Sequence, residues 1–180
     1  MVKVIEPRTA RLQLRQWCDD DRELFAAMNA DSAVMEFFPA LLSREESDAG
    51  IDRQIAHINR YGWGFWAVEM LSDKRFIGFV GIKNVTGDMP FAPAVEIGWR
   101  LASSAWGKGY ASEAANASLQ VAFEQLGLDE IVSFTVPGNV RSRAVMEKLG
   151  MVQGERFQHP GLPEGHSMQE HVLYRLRNPL

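Results

Sequence analysis

The sequence predicts an α+β domain in which a mixed sheet of about seven strands carries helices on both faces. Three observations predict it. Helical signals dominate up to Tyr61, strand signals fill Phe65 to Leu101, and helix and strand alternate from there to the C-terminus. With 180 residues and 46% hydrophobic content, the chain suits one domain, residues 1–180, with a core of ordinary size.

Arg11-Leu12-Gln13-Leu14-Arg15 alternates apolar and polar side chains and reads as the first strand. The Asp19-Asp20-Asp21 run supplies carboxylates for the start of a helix through Met28. Asp31 opens a second, short helix that reaches Phe38 and is stopped by Pro39. Ser43-Arg44-Glu45-Glu46 has capping-box form and precedes Ile51, Ile55 and Ile58, so the spacing predicts a longer helix over Ser43 to Tyr61, ended by Gly62 and Gly64. Three strands follow, Phe65 to Met70, Phe76 to Ile82 and Val95 to Leu101. Ser72-Asp73-Lys74 suits a tight hairpin, and Thr86 to Pro93 suits a longer loop. A helix from Ser112 to Leu126 places Ala115, Leu119, Ala122 and Leu126 on one face, and its small residues let it sit close to a sheet. Gly127 caps it, and Ile131 to Val136 is the next strand. Asn139 caps a short helix over Val140 to Leu149, with Gly150 as its stop. Met151 to Phe157 and His171 to Leu176 are the last strands, separated by a loop rich in proline and glycine.

A formal charge of -4 and a pI near 5.6 speak against a nucleic-acid or anionic-membrane partner. Cys18 is the only cysteine, so neither an intrachain disulfide nor a cysteine-based metal site is expected. His159, His166 and His171 are irregularly spaced, and no metal is expected there. The N-terminus lacks an apolar h-region and no run approaches a membrane span, so a cytoplasmic location is expected.

The chemistry concentrates in Trp106-Gly107-Lys108-Gly109-Tyr110-Ala111-Ser112-Glu113-Ala114, which runs into the predicted helix. Gly107, Gly109 and Ala111 leave almost no side-chain bulk, so backbone amides can crowd around a phosphate under the positive end of the helix dipole. An ordinary strand-to-helix turn has the same glycine spacing. The run fits neither the P-loop nor the dinucleotide fingerprint.

Together with Asn139-Val140-Arg141-Ser142-Arg143-Ala144-Val145-Met146-Glu147-Lys148-Leu149-Gly150-Met151, this run resembles the two acyl-CoA signatures of the GNAT superfamily of N-acetyltransferases. Thr9 to Arg15 and Glu96 to Leu101 further resemble its RimJ/RimL branch, the ribosomal-protein N-terminal acetyltransferases. The likeness spans about Arg8 to Arg177. It implies the GNAT fold, with a mixed, mostly antiparallel sheet, and direct acetyl transfer from acetyl-CoA to a primary amine. A protein or peptide N-terminal α-amine is the leading acceptor. A small amine such as an amino acid, polyamine or antibiotic is the alternative, and a non-catalytic acyl-CoA sensor a third. A homodimer fits the branch, although no residue demonstrates it. Trp106 departs from the Arg or Gln that many members carry at the start of the loop.

Strand alternation puts Glu96, Gly98 and Arg100 on one face of their strand. Glu96 is the candidate base, with a structural glutamate paired to a neighbouring cation as the other reading, and His159 or His171 as alternative bases. The resemblance implies that backbone around Ile97, Gly98, Trp99, Arg100 and Leu101, the loop Trp106, Gly107, Lys108, Gly109, Tyr110, Ala111 and Ser112, and Asn139 hold the cofactor. Ser142 is the candidate proton donor to the leaving thiolate, with Tyr110 and Tyr174 as weaker ones. Tyr61, Trp63, Phe65 and Trp66 are candidates for lining an acceptor pocket, or for the core.

Overall fold

A computed structural model describes residues 2–180. Strand β1 (Leu12–Arg15) leads through α1 (Asp21–Asn29) and α2 (Arg44–Tyr61) to β2 (Phe65–Met70), β3 (Phe76–Val85) and β4 (Ala94–Leu101). A single 3-10 turn precedes α3 (Tyr110–Gln120), and β5 (Glu130–Thr135), α4 (Val140–Lys148), β6 (Val152–Gln158) and β7 (Glu170–Arg177) complete the chain. The seven strands form one sheet in the order β1-β2-β3-β4-β5-β7-β6, antiparallel throughout except for β4 beside β5. This is the predicted mixed, mostly antiparallel sheet.

Its two faces are covered by different helices. On one side α1 packs against α2 and β3, where Trp17, Phe25, Phe76 and Phe79 form an aromatic cluster tied to β2 by the Trp17 indole N–H donating to the Phe65 carbonyl at 2.8 Å. On the other side α3 packs against β3 and β4, and the fully buried Ala114 and Ala115 let it approach closely. Caps follow the sequence signals: Ser43 and Glu46 complete a capping box on α2, Gly62 ends that helix at φ 81°, and the Asn139 side chain accepts from the Ser142 amide on α4.

Two expectations fail locally. Asp31 to Phe38 is a run of turns rather than a helix: the Asp31 carboxylate accepts from the Ala33 amide at 2.8 Å, and Pro39 leaves no length for propagation. Helix α3 starts at Tyr110, two residues before the expected Ser112, and widens into a π-helical turn over Val121–Gln125. That turn buries Val121, Ala122 and Phe123 consecutively and leaves Leu126 half-buried, off the regular stripe.

Near the site the strands cross tightly. A Cβ at Gly81 would stand 2.0 Å from the Gly64 carbonyl oxygen, which also accepts from the Ile82 amide at 3.2 Å. Gly81→Ala is expected to destabilise by about 1–3 kcal/mol, a loss of roughly 2–4 °C in Tm for each kcal/mol in a chain of this size. A thermal melt matching wild type would contradict this packing.

Candidate active site

The one parallel pairing in the sheet is also its weakest. β4 and β5 share a single register pair among the described residues, Glu96 opposite Val132. Beyond it, toward Leu101 and Thr135, the two strands are not paired. Ser133 spans the start of this split, its hydroxyl donating to the Ile97 carbonyl at 2.9 Å. Alternation along the strand then turns the N–H and C=O of Trp99 toward the same gap.

A cavity of about 730 Å³ opens from the split. Glu96 to Leu101, Trp106, Gly107, Gly109 to Ser112, Asn139 and Ser142 all line it. Lys108 does not, and its ammonium donates to the Ser104 carbonyl at 3.2 Å instead. Every other residue expected to hold the cofactor therefore lines this one cavity.

One part of the cavity wall offers backbone N–H groups that no side chain caps. Gly107 and Gly109 adopt left-handed φ of 73° and 80°, and a Cβ at Gly107 would meet nothing within 4 Å. Gly109 is the N-cap of α3 and no side chain caps that helix, which leaves the first-turn amides to an external acceptor. Glu113 in the same turn is taken up elsewhere: Thr9 donates to it at 2.6 Å and the Arg11 guanidinium at 2.7 Å. Burial pushes the Glu113 carboxyl up, but these donors outweigh it and hold the group below its ordinary value. The helix start is thereby fastened to the edge strand.

Trp106 is occupied in a way its sequence position does not reveal. Its indole N–H donates to the Leu101 carbonyl at 3.0 Å, and the Arg141 guanidinium lies 3.7 Å from its ring centroid. A cation from α4 thus reaches the start of the glycine loop. Glu36 is 3.7 Å from the same guanidinium.

Further along the split, the Ser142 hydroxyl accepts from the Trp99 indole N–H at 3.3 Å, which leaves its own proton free to be donated. Asn139 donates to the Thr135 hydroxyl at 3.0 Å while capping α4, so the cap and the cavity wall are the same residue.

At the other end stands Glu96, enclosed by protein except on its cavity side. Burial pushes its carboxyl up to about 7, with Lys83, its register partner on β3, partly offsetting the effect. A carboxyl in that range exchanges protons near neutral pH. His159 and His171, with ring centroids 4.9 Å apart, also line this end, and burial lowers both below the ordinary histidine value. Tyr110 lies on the wall under the Arg11 guanidinium, 4.4 Å away. Tyr174 is not brought here: it is fully buried, accepts from Arg143 and donates to Glu147, each at 3.1 Å.

Of the four aromatics expected at an acceptor pocket only Phe65 lines it. Alternation sends Trp66 to the opposite face, and Tyr61 and Trp63 stack with His57 instead. The walls come from Phe37, Phe38, Phe79 and Phe134.

An uncapped glycine-bounded helix start, a splayed parallel strand pair and a serine hydroxyl on the cavity wall fit a pyrophosphate-bearing thioester. The acetyltransferase (GNAT) domain family matches residues 11–152. The chain belongs to the GNAT acetyltransferase family. Its sequence is 30% identical to the FsC-acetyl coenzyme A-N(2)-transacetylase of Aspergillus fumigatus over 95% of this chain and 79% of that protein. A GNAT-family acetyltransferase from Bacillus anthracis is 25% identical and superposes with a TM-score of 0.81, covering 97% of this chain and 99% of the other. RimL, the ribosomal L7/L12 α-N-protein acetyltransferase, solved in complex with coenzyme A, shares the fold at a TM-score of 0.75 and 16% identity, covering 96% and 98%. The protein is thus a GNAT N-acetyltransferase that uses acetyl-CoA. No helix among the described residues is long and apolar enough to cross a membrane.

Sequence reasoning on this GNAT chain missed Ser133, Arg141 and the wall phenylalanines. Ser133 alternates like any strand residue, and the phenylalanines come from separate elements. Arg141 sits inside the second signature at a position that carries no motif letter, so only its stacking on Trp106 exposes it.

Proposed function

We propose that the enzyme acetylates an α-amino group, that of a peptide or protein N-terminus, with Glu96 as the general base. The observation that carries this reading is the Glu96 carboxyl near 7 at the closed end of the strand split. An α-ammonium has a pKa of about 8 and a lysine-like ammonium about 10.4. Handing a proton to Glu96 is then uphill by about one unit from the first and by more than three from the second, a difference of roughly 3 kcal/mol. Glu96 deprotonates the first kind of amine readily and the second poorly.

Acetyl-CoA supplies a thioester-activated acetyl group. The first-turn amides of α3 and the turn at Gly107 and Gly109 hold its pyrophosphate, and Arg141 on Trp106 adds a cation at the loop mouth. The backbone N–H of Trp99, facing the split, would be the donor to the thioester carbonyl. Glu96 takes the amine proton, and Ser142, held by Trp99, would relay a proton to the leaving sulfur, taking one from water in the cavity as it gives its own.

Acetyl-CoA-dependent thiol release, with the acetyl position located by mass spectrometry, tests the reading on free-N-terminus peptides, N-blocked lysine peptides, polyamines and aminoglycoside-type antibiotics. Acetylation confined to α-amines is expected. Turnover of blocked lysine peptides or polyamines with free N-termini left untouched would overturn it. A second reading, a small molecule bearing an α-amine, is favoured by the Aspergillus fumigatus relative, whose name specifies an N(2) transfer on FsC. Acetylation of free amino acids in preference to peptides would select it.

A further inference from the structure

Arg100 is a half-buried cation to which the acetyl-transfer chemistry gives no task. It lines the cavity on the same face of β4 as Glu96 and lies between aromatic rings, its guanidinium 4.3 Å from the Phe38 centroid and 5.4 Å from that of Phe79. Among the described residues its one side-chain hydrogen bond is from Nη1 to the Asn29 side-chain oxygen at 2.8 Å, while Nε is buried without a partner. No carboxylate among the described residues comes within 4.0 Å of it, whereas Arg15, Arg22 and Arg175 each hold two or more. Burial accordingly lowers its pKa to about 10, with no acidic neighbour offsetting the effect, and it is still charged at neutral pH.

The guanidinium is also held in place. Asn29 is fully buried and donates to the buried Ser47 hydroxyl at 3.0 Å, so α2 fixes the Asn29 amide and that amide fixes Arg100. A half-buried charge left without a counter-ion carries a desolvation cost, which no ion pair among the described residues offsets. A pre-positioned cation with an unused donor, opening into a substrate cavity, is instead what binding an anion requires.

We infer that the acceptor carries an anionic group, a carboxylate on the peptide chain, which Arg100 receives while the amine lies at Glu96. The inference rests on the α-amine reading of the site. The strand separates the Cα atoms of the two residues by about 13 Å at four residues' rise, and alternation turns both side chains to the same face. The carboxylate of a free amino acid lies within about 4 Å of its own nitrogen, a small part of that spacing. An extended peptide advances about 3.3 Å per residue, which puts the matching side chain at its third to fifth residue. The phenylalanine walls accept apolar side chains between the two charged ends. The substrate class is therefore an N-terminus whose first residues are uncharged or apolar and which carries aspartate or glutamate shortly afterwards.

C-terminally amidated hexapeptides with one aspartate at position two, three, four or five, each paired with its asparagine twin, test this in wild type, Arg100→Gln and Arg100→Lys. Wild type is expected to prefer the aspartate peptide at positions three to five by on the order of ten- to a hundredfold, mostly in KM. That ratio should shrink in 0.5 M salt, fall to about one in Arg100→Gln and persist in part in Arg100→Lys. Equal rates for aspartate and asparagine twins in wild type, a measurement that needs no variant, overturn the inference and leave the α-amine reading standing. So does a preference that survives Arg100→Gln. If Arg100→Gln instead weakens coenzyme A binding in calorimetry with the peptide ratio unchanged, the guanidinium serves the cofactor and the inference also falls. Absence of α-acetylation on every peptide overturns the α-amine reading and this inference with it.

Discussion

Glu96→Gln is expected to lower kcat/KM at pH 8 by about 10²–10⁴, the usual worth of a positioned general base. Its acid limb should vanish at the same time. Wild-type kcat/KM rises with pH through about 7, where Glu96 loses its proton, and the variant lacks that inflection. Stability moves the opposite way. The folded carboxyl binds its proton more tightly than the unfolded one, whose ordinary value is 4.5, so Glu96 contributes most to stability below pH 4.5. That contribution is lost as pH rises through about 7, where the folded protein must hold a buried carboxylate. Glutamine carries no such cost. The variant should therefore melt at or above wild type at pH 8 and lose that advantage toward pH 5. Dead activity with unimpaired melting separates a missing base from a misfolded site. A variant that keeps a third or more of wild-type kcat/KM at pH 8, or that keeps the inflection, would shift the base to His159 or His171.

What the sequence makes legible here is whatever depends on local pattern. The Ser43 box, the Gly62 stop, the alternating strands and both cofactor signatures are short-range chemistry, and each falls where its residues place it. The alternation that groups Glu96, Gly98 and Arg100 is likewise a property of one strand. Three features are not local. Asp31 to Phe38 has helix-start chemistry, yet its turns present Phe37 and Phe38 to a cavity whose other phenylalanines lie on β2, β3 and β5. Tyr174 reads as a weaker candidate proton donor, but its strand position buries it with Arg143 and Glu147. Arg100 reads as an ordinary alternate residue on β4. Only the absence of any carboxylate around it in three dimensions makes it conspicuous, and absence has no sequence motif.

Gly109→Val should weaken coenzyme A binding by on the order of a hundredfold or more, by two routes that add. The residue sits at φ 80°, where an L side chain costs about 1–2 kcal/mol, and a β-branched one more. Its carbonyl accepts the Glu113 amide at 3.0 Å, the first hydrogen bond of α3, so backbone relief at Gly109 swings the helix start and the amides aimed at the pyrophosphate. The valine branches also occupy the approach to those amides, each of which is worth about 1.5–3 kcal/mol when it donates to a charged group. The loss should appear as a raised Kd for coenzyme A in calorimetry and a raised KM for acetyl-CoA. Gly109→Ala is expected to fall between valine and wild type, because it carries the φ strain with little of the bulk; the nearest atom to its Cβ would be Arg11 Nη2 at 3.5 Å. The core does not rest on this residue, since Ala114, Ala115 and Leu119 anchor α3 to the sheet, so melting without ligand should drop by no more than the strain itself. If the valine variant binds coenzyme A like wild type, the pyrophosphate does not sit on α3, and the stacked Arg141 becomes the group around which the anion site must be redrawn.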